Sequence, residues 1–468
     1  MEGDNYYMNK NITMTFLEKD YNLLQKHLFK DGNEQAAYLL CSLSQTEIET
    51  RFLVKEVIQV EDKHILKNNN MGIYYTCDSY MPVIAKAKSN QLCFIMVHCH
   101  PCGISEFSDI DNEQEIKLLR YAYNRINNKL HGSMIFSDSN TFTGRILNYE
   151  SERYTSISKI RVLGDTYKFI NSVNSDPLKT INKDIFNRNI LAFGEDLLKI
   201  LQNIHIGVVG CGGTGSAVIE ELCRLGVGKL TLIDDDKIEN TNITRIHGSN
   251  LSDVGKPKVT LMQEMIGKIN IGTNVIAINE KLDNPNTAKK LRDCDLIFSC
   301  VDYTHFTRSI LNQIAIAYYI PLIDAGIKFD SKKGILNDIF GRIDVVLPND
   351  RCLFCSGIID SNMISAELMT NEEYIKLKEQ GYVPELPKDK VQVIPYNSLI
   401  GSYAVIEMIQ LLTNFKGKNI KHIIYKFMAN KTLTIEPDFD SECICNSEKL
   451  IGCGDIEPFL LLSWAGVK

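Results

Sequence analysis

The segment Gly210-Cys211-Gly212-Gly213-Thr214-Gly215 directly follows the apolar run Ile204-His205-Ile206-Gly207-Val208-Val209 and leads into a helical pattern from Ser216 to Leu225. Glycines between a strand and a helix permit a tight turn and let backbone N–H groups at the helix N-terminus approach a phosphate closely. A strand–turn–helix of this kind belongs to a parallel sheet. Lys229 to Ile233, 275–277, 296–299 and 321–324 read as further strands with helical patterns between them. This alternation predicts a largely parallel, doubly wound Rossmann-like sheet with helices on both faces, extended by strands at 343–347 and 423–427. Asp234 closes the second strand, 24 residues after Gly210, where a ribose-binding acid is expected. The loop and the acid alone suit a nicotinamide dinucleotide as well as ATP.

The residues that follow decide between them. Asp234-Asp235-Asp236 leads to Asn242-Ile243-Thr244-Arg245, then Gly255-Lys256-Pro257-Lys258, then Asp302-Tyr303-Thr304-His305-Phe306-Thr307-Arg308; Phe186-Asn187-Arg188 stands ahead of the glycines. A dehydrogenase has no use for so many cations. An enzyme splitting ATP between its α and β phosphates does, because the charge building on pyrophosphate must be neutralised. Across about 180–460 the set resembles the ThiF/MoeB/HesA adenylyltransferases, of the same superfamily as ubiquitin-activating enzymes. The resemblance implies that Gly210, Gly212, Gly213 and Gly215 cradle ATP and that Asp234 binds the ribose. It implies Asn242, Arg245 and Lys258 on the phosphates, and Asp302 positioning Mg²⁺ beside the reacting carboxylate. Arg188 would reach across a homodimer into the partner's ATP site, while Lys256 reads as a solvated neighbour of Lys258.

Cys352 and Cys355 form one knuckle, and Cys443 and Cys445 a second. Four thiolates make a closed structural zinc site. The family commonly has C-x-x-C in both places, so the C-x-C spacing here leaves Cys453 as an alternative to Cys445. No cysteine occurs between Ser356 and Ser402, where thioester-forming relatives carry a nucleophile. Either the reaction stops at the acyl-adenylate, or a thiol from elsewhere attacks, or a hydroxyl such as Ser361, Ser365 or Thr370 forms an ester.

The N-terminal half carries different chemistry. An apolar strand at 91–97 runs into His98-Cys99-His100-Pro101, followed by Ser108 and Asp111. A helix is expected from Asn112 to Asn128, with Ile116, Leu119, Tyr123 and Ile126 on one face, and a strand at 134–136. Alternate strand residues share a face, so His98 and His100 can grip one ion, with Asp111 folding back as a third ligand. Two imidazoles and a carboxylate leave a fourth tetrahedral position for water. Cys99 and Cys102 read as packing residues. Over about 15–150 the pattern resembles the JAMM/MPN (Mov34-type) metalloproteases, whose signature is an upstream Glu, then H-x-H-P, six residues and S-x-x-D. The resemblance implies a catalytic zinc on His98, His100 and Asp111, Glu34 as general base, Ser108 near the oxyanion, and cleavage after a ubiquitin-like C-terminus.

The fold expectation is therefore α/β throughout. Residues 1–175 form a mixed α/β JAMM-type (cytidine-deaminase-like) domain. Residues 176–468 form a Rossmann-like adenylating domain with a structural zinc knuckle. Net charge is −7 with scattered cations, so nucleic acid is not an expected partner. No apolar run approaches a membrane span. Met1 to Asn5 does not begin a secretory leader, and 14 Cys in 468 residues suit a reduced cytoplasmic chain. Together the halves predict an enzyme of a bacterial ubiquitin-like pathway that adenylates a tail carboxylate and also cuts after it. Its cofactors would be ATP, Mg²⁺ and two Zn²⁺. Its partners would be a small ubiquitin-like or sulfur-carrier protein and a conjugating enzyme. The alternative is a sulfur-carrier adenylyltransferase of thiamine, molybdopterin or cysteine synthesis.

Overall fold

The computed structural model describes residues 10–70, 72–127, 130–149, 153–175, 182–302, 304–332, 334–386, 391–417, 421–435, 440–462 and 464. The expected domain boundary near 175 abuts 176–181, which lie outside the described residues, as do Met1–Asn5, Asn128 and Tyr303. The chain divides into two compact units: Met1–Pro177 with Gly452–Asp455, and Leu178–Ile451 with Ile456–Lys468.

The first unit contains strands β1 (Asn11–Leu17), β2 (Ala36–Gln45), β3 (Glu49–Gln59), β4 (Ile65–Asn69), β5 (Gly72–Tyr75), β6 (Cys93–Cys99), β7 (His131–Asp138), β8 (Thr141–Asn148), β9 (Arg153–Leu163) and β10 (Tyr167–Asn171), with helices α1 (Glu18–Leu28), α2 (Met81–Ser89) and α3 (Asp109–Arg125). β4 and β5 pair alone. The others form one sheet in the order β1-β3-β2-β6-β7-β8-β9-β10, and β1 also pairs with β9, so the sheet curls back on itself. Every residue of β6 is buried. Cys93, Ile95, Val97 and Cys99 join one apolar cluster with Leu24 and Phe136. Phe94 and Met96 join the other, with Tyr38, Leu118 and Leu119. By the two-residue period of a strand, His98 shares the face of Phe94 and Met96, toward α3.

Helix α3 starts at Asp109, not Asn112, because Ser108 and Asp111 form a reciprocal capping box. Its buried stripe is Glu115, Leu118, Leu119 and Ala122. That stripe is rotated from the expected Ile116–Leu119–Tyr123–Ile126 face, and the helix ends at Arg125, with Ile126 as its C-cap.

The second unit contains α4 (Lys183–Asn203), β11 (His205–Val209), α5 (Gly213–Leu225), β12 (Lys229–Ile233), α6 (Lys258–Ile269), β13 (Asn274–Ile278), α7 (Pro285–Lys289), β14 (Leu296–Ser299), α8 (His305–Tyr318), β15 (Leu322–Lys332), β16 (Ile335–Val346), α9 (Ser361–Glu367), α10 (Asn371–Glu379), α11 (Ile394–Thr413), β17 (His422–Lys426) and β18 (Lys431–Thr434). The sheet order is β13-β12-β11-β14-β15-β16-β17-β18. β11 to β15 are mutually parallel. From β15 to β18 the pairing is antiparallel, so the largely parallel sheet expected from sequence extends only over its first five strands. The directness of the β15–β16 connection explains this, since a short link can join only antiparallel neighbours. The chain leaves β11 toward β12 and β13, then returns to β14 on the other side. This puts a topological switch point, the usual ligand crevice, at the carboxyl ends of β11 and β14.

Helix α11 packs on α5, β15 and β16. A Cβ on Gly401 would lie 3.1 Å from the Ala217 Cβ and 3.2 Å from the Thr214 carbonyl. Glycine there lets α11 approach the start of α5 closely.

Candidate functional site

At the switch point, the glycine loop opens onto a cleft of ≈ 540 Å³ lined by Gly210, Gly212, Asp234, Asp236, Lys258, Asp302, Thr307 and Glu367, among others. Gly210 has φ +92, which favours glycine, and Gly212 caps the N-terminus of α5. A Cβ on Gly213 would stand 2.0 Å from Asn397 Nδ2, and one on Gly215 would stand 1.8 Å from the Gly210 carbonyl oxygen. At Gly212 a Cβ would meet nothing within 4 Å. Two of these glycines thus serve close packing, while Gly212 leaves room in the cradle itself.

Asp234 is held at the end of β12. Its Oδ2 accepts from the Cys211 N–H at 2.6 Å and its Oδ1 from the Asp236 N–H at 2.9 Å. Burial raises its carboxyl above the usual range, against the pull of Lys258. The Lys258 ammonium lies 2.6 Å from Asp236 and 3.9 Å from Asp234. Burial would lower its pKa, but Asp234 and Asp236 outweigh that and raise it. Asp302 Oδ1 accepts from Gln392 Nε2 at 2.5 Å.

Seven acidic side chains line the cleft (Asp234, Asp235, Asp236, Glu280, Asp283, Asp302, Glu367) against two lysines, Lys258 and Lys281. Among the described residues lining it, Asn242, Arg245 and Arg188 do not appear. Asn242 is buried and spends its side chain on a local turn: its Oδ1 accepts from Glu239 N–H and its Nδ2 donates to the Thr241 hydroxyl, both at 3.3 Å. Arg245 sits half-buried in the following turn, and Arg188 is exposed on α4. Lys256 pairs with Asp253 and Glu264, away from the lining residues.

Thr370 and Ser365 are committed to their own helices: Thr370 caps α10 and donates to Glu373 at 2.8 Å, and Ser365 donates to the Ser361 carbonyl at 2.9 Å. Sequence reading missed Gln392, Glu367 and the acids at 280 and 283. Glu367 accepts from the N–H groups of His305 and Phe306 at 2.9 and 2.8 Å, fixing α9 to the start of α8.

Cys352, Cys355, Cys443 and Cys445 form one cluster. Their sulfurs are 4.0 Å apart (352 to 355), 3.5 Å (352 to 443) and 3.5 Å (355 to 445). Tetrahedral zinc with Zn–S bonds of about 2.3 Å needs sulfurs about 3.8 Å apart, so the residues fit that metal. The Cys352 thiol is lowered to about 5, chiefly by hydrogen bonding to Cys445. Cys453 lies outside the cluster, its thiol 3.7 Å from the Gly454 carbonyl.

In the first unit, the His98 and His100 Nε2 atoms lie 3.1 Å apart. Asp111 Oδ1 is 3.2 Å from His98 Nε2, and Asp111 Oδ2 is 3.5 Å from His100 Nε2. Glu34 Oε1 is 3.9 Å from His100 Nε2. All four residues come from separate stretches: the loop before β2, the end of β6 and its following loop, and the first turn of α3. His100 Nδ1 donates to the Ile104 carbonyl at 3.1 Å. Since a carbonyl only accepts, the hydrogen is on Nδ1, and in the neutral ring Nε2 is left with the lone pair a metal needs. Two imidazole nitrogens on tetrahedral zinc would be about 3.3 Å apart, so the donor set fits that ion.

Burial raises the Glu34 carboxyl, the neighbouring histidines only partly opposing it. Burial would lower His100, but Asp111 and Glu34 together raise it. Ser108 donates to Asp111 Oδ2 at 2.7 Å. Its hydroxyl therefore orients the Asp111 carboxylate beside the two histidines. Cys99 is buried on the opposite face of β6, while Cys102 is exposed and does not pack as expected. Arg145, also missed, lies between Phe107 and Tyr154, 3.6 and 4.2 Å from their ring centres. It donates to Asn112 and Glu115 on α3, fixing the helix that carries Asp111.

The sequence profile of the ThiF family matches residues 186–445. A tRNA threonylcarbamoyladenosine dehydratase of Bacillus subtilis is 45% identical over 93 residues, 20% of this chain and 37% of that protein. The adenylyltransferase and sulfurtransferase UBA4 of Yarrowia lipolytica is 34% identical over 157 residues, 33% of this chain and 37% of that protein. The molybdopterin-synthase adenylyltransferase of Escherichia coli is 31% identical over 140 residues, 30% of this chain and 56% of that protein. The chain thus spans between 37% and 56% of the length of these relatives. No helix of the described residues is long and apolar enough to cross a membrane.

Proposed function

Because the chain belongs to the ThiF family, we propose that its second unit joins ATP to the C-terminal carboxylate of a small sulfur-carrier or ubiquitin-like protein, giving an acyl-adenylate and pyrophosphate. The observation that carries this reading is one cleft bearing the glycine cradle, Asp234 and Asp302 at the switch point of a parallel sheet. Asp234 would hold the ribose, and the N-terminus of α5 a phosphate. The acidic lining cannot neutralise a triphosphate by itself, so Asp302 and its neighbours would hold Mg²⁺, which when bound screens the phosphates and the reacting carboxylate. Lys258 supplies the cleft's buried cation. Exposed Arg188 would serve a second copy's cleft in a homodimer.

The sulfur-carrier substrate is favoured over conjugation to lysine. Two of the relatives bear adenylyltransferase names tied to sulfur transfer or molybdopterin synthesis. The thiols nearest the cradle are also unsuited to attack: Cys211 of the glycine loop and Cys300 of the cleft lining are buried, and burial pushes both well above the ordinary thiol range. The reaction would then end at the adenylate, with sulfur or another acceptor arriving from outside. Intact-mass spectrometry of a glycine-ended carrier incubated with ATP tests this: a species heavier by one AMP is expected, and an unchanged carrier mass would contradict it.

A second activity is proposed for the first unit on one specific observation, the convergence of Glu34, His98, His100 and Asp111. His98, His100 and Asp111 would hold a zinc ion that activates water when bound. Glu34, kept basic by burial and close to His100, would take the water's proton and pass it to the leaving amine. The substrate would be a peptide or isopeptide bond after the carrier's tail. Cleavage of a carrier–peptide fusion by the wild type and not by Glu34→Gln is the expected outcome; equal cleavage by both would remove the reading.

A further inference from the structure

Asp302 does not stand alone in its cleft. The Gln392 amide nitrogen donates to Asp302 Oδ1 at 2.5 Å, and Asn397 Nδ2 donates to Gln392 Oε1 at 3.3 Å. These two bonds fix which end of the Gln392 amide faces Asp302. Asn397 is fully buried at the first turn of α11. Its amide sits where a side chain on Gly213 would project, 2.0 Å from the ideal Cβ position. The rotamer of Asp302 is therefore indexed, through two amides, to the first residue of the helix behind the phosphate cradle. The partner is also neutral. A lysine or arginine at 392 would cancel the carboxylate's charge, whereas an amide donor holds one oxygen and leaves the full charge to act on a cation.

We propose that Gln392, braced by Asn397, is a positioning residue that aims Asp302 at the metal–nucleotide complex. The inference rests on the adenylation reading of this cleft. Removing one hydrogen bond to a charged group should weaken metal–nucleotide binding by roughly tenfold to hundredfold.

The test uses the full-length chain with Mn²⁺ and ATP, reading Mn²⁺·ATP affinity by electron paramagnetic resonance alongside ATP–pyrophosphate exchange. Gln392→Met keeps the volume and removes the donor. It should weaken Mn²⁺·ATP binding at least about tenfold, with an unchanged melting temperature and an unchanged KM for the carrier. Gln392→Glu puts a like charge against Asp302 and should weaken binding further. Gln392→Asn, too short to reach, should behave like Gln392→Met. Wild-type Mn²⁺·ATP affinity in Gln392→Met, or a loss shared equally between nucleotide and carrier, would overturn the positioning role. Intact Mn²⁺·ATP binding without any pyrophosphate exchange in the wild type would instead overturn the adenylation reading and leave the binding comparison to judge Gln392. A wild type that binds no Mn²⁺·ATP overturns both.

Discussion

Replacing Gly212 and Gly215 by alanine, one at a time, adds the same methyl group at two ends of one turn and should give opposite results. At Gly215 the new Cβ would stand 1.8 Å from the Gly210 carbonyl oxygen, against an ordinary contact of 3.4 Å or more. That carbonyl, on a residue already at φ +92, would have to retreat by about 1.6 Å. Alanine is intrinsically better than glycine in a helix by about 1 kcal/mol, but backbone overpacking of this degree exceeds it. A net loss of roughly 2–3 kcal/mol is expected, or about 4–12 °C in melting temperature for a unit of this size. At Gly212 the φ of −77 suits any residue and the methyl meets nothing. Stability should be unchanged or rise by up to about 1 kcal/mol, because the unfolded chain loses freedom. The methyl would stand in the cradle, however, and ATP affinity should fall about tenfold, roughly 1.4 kcal/mol. Differential scanning fluorimetry and calorimetric titration with ATP read the two quantities separately. Wild-type ATP affinity in Gly212→Ala, or a wild-type melting curve in Gly215→Ala, would refute the division of labour between these glycines.

Further expectations address the other clusters. Purified protein should contain close to two zinc ions per chain. Cys445→Ser should lose one of them and Cys453→Ser neither, as measured by elemental analysis; the reverse pattern would move the knuckle. His98→Ala should lose the other ion while leaving the cysteine site loaded. Arg145→Met leaves buried Glu115 without its cation and unstacks two aromatic rings. It should cost the first unit about 3–5 kcal/mol in urea denaturation, and a cost under about 1 kcal/mol would show that the pair does not hold α3.

The legible parts were those whose signal is local. The glycine loop, its strand and its helix are contiguous, so the sequence could place the cradle without knowing the rest of the sheet. His98, His100, Ser108 and Asp111 lie within one strand–loop–helix unit, and their spacing translates directly into convergence. Glu34 lies far upstream, and no local spacing ties it to the histidines; pairing of β2 with β6 brings its loop to them. Gln392, Glu367 and Arg145 act through contacts made 30 to 90 residues away in sequence, and no periodicity or motif announces them. Asn242 and Ser108 also take part in short-range capping geometry that their motifs do not announce. The choice between Cys445 and Cys453 needed the fold, because both follow the first knuckle at a similar remove.

Everything proposed for the second unit depends on a carboxylate and ATP reacting in the cleft between β11 and β14. The most direct measurement is exchange of labelled pyrophosphate into ATP in the presence of Mg²⁺ and a glycine-ended carrier. Exchange that requires the carrier's free C-terminus, and is lost in Asp302→Ala without a change in melting temperature, is the predicted result. Exchange that persists in Asp302→Ala, or that never appears with any carboxylate-ended carrier while ATP still binds, would contradict it.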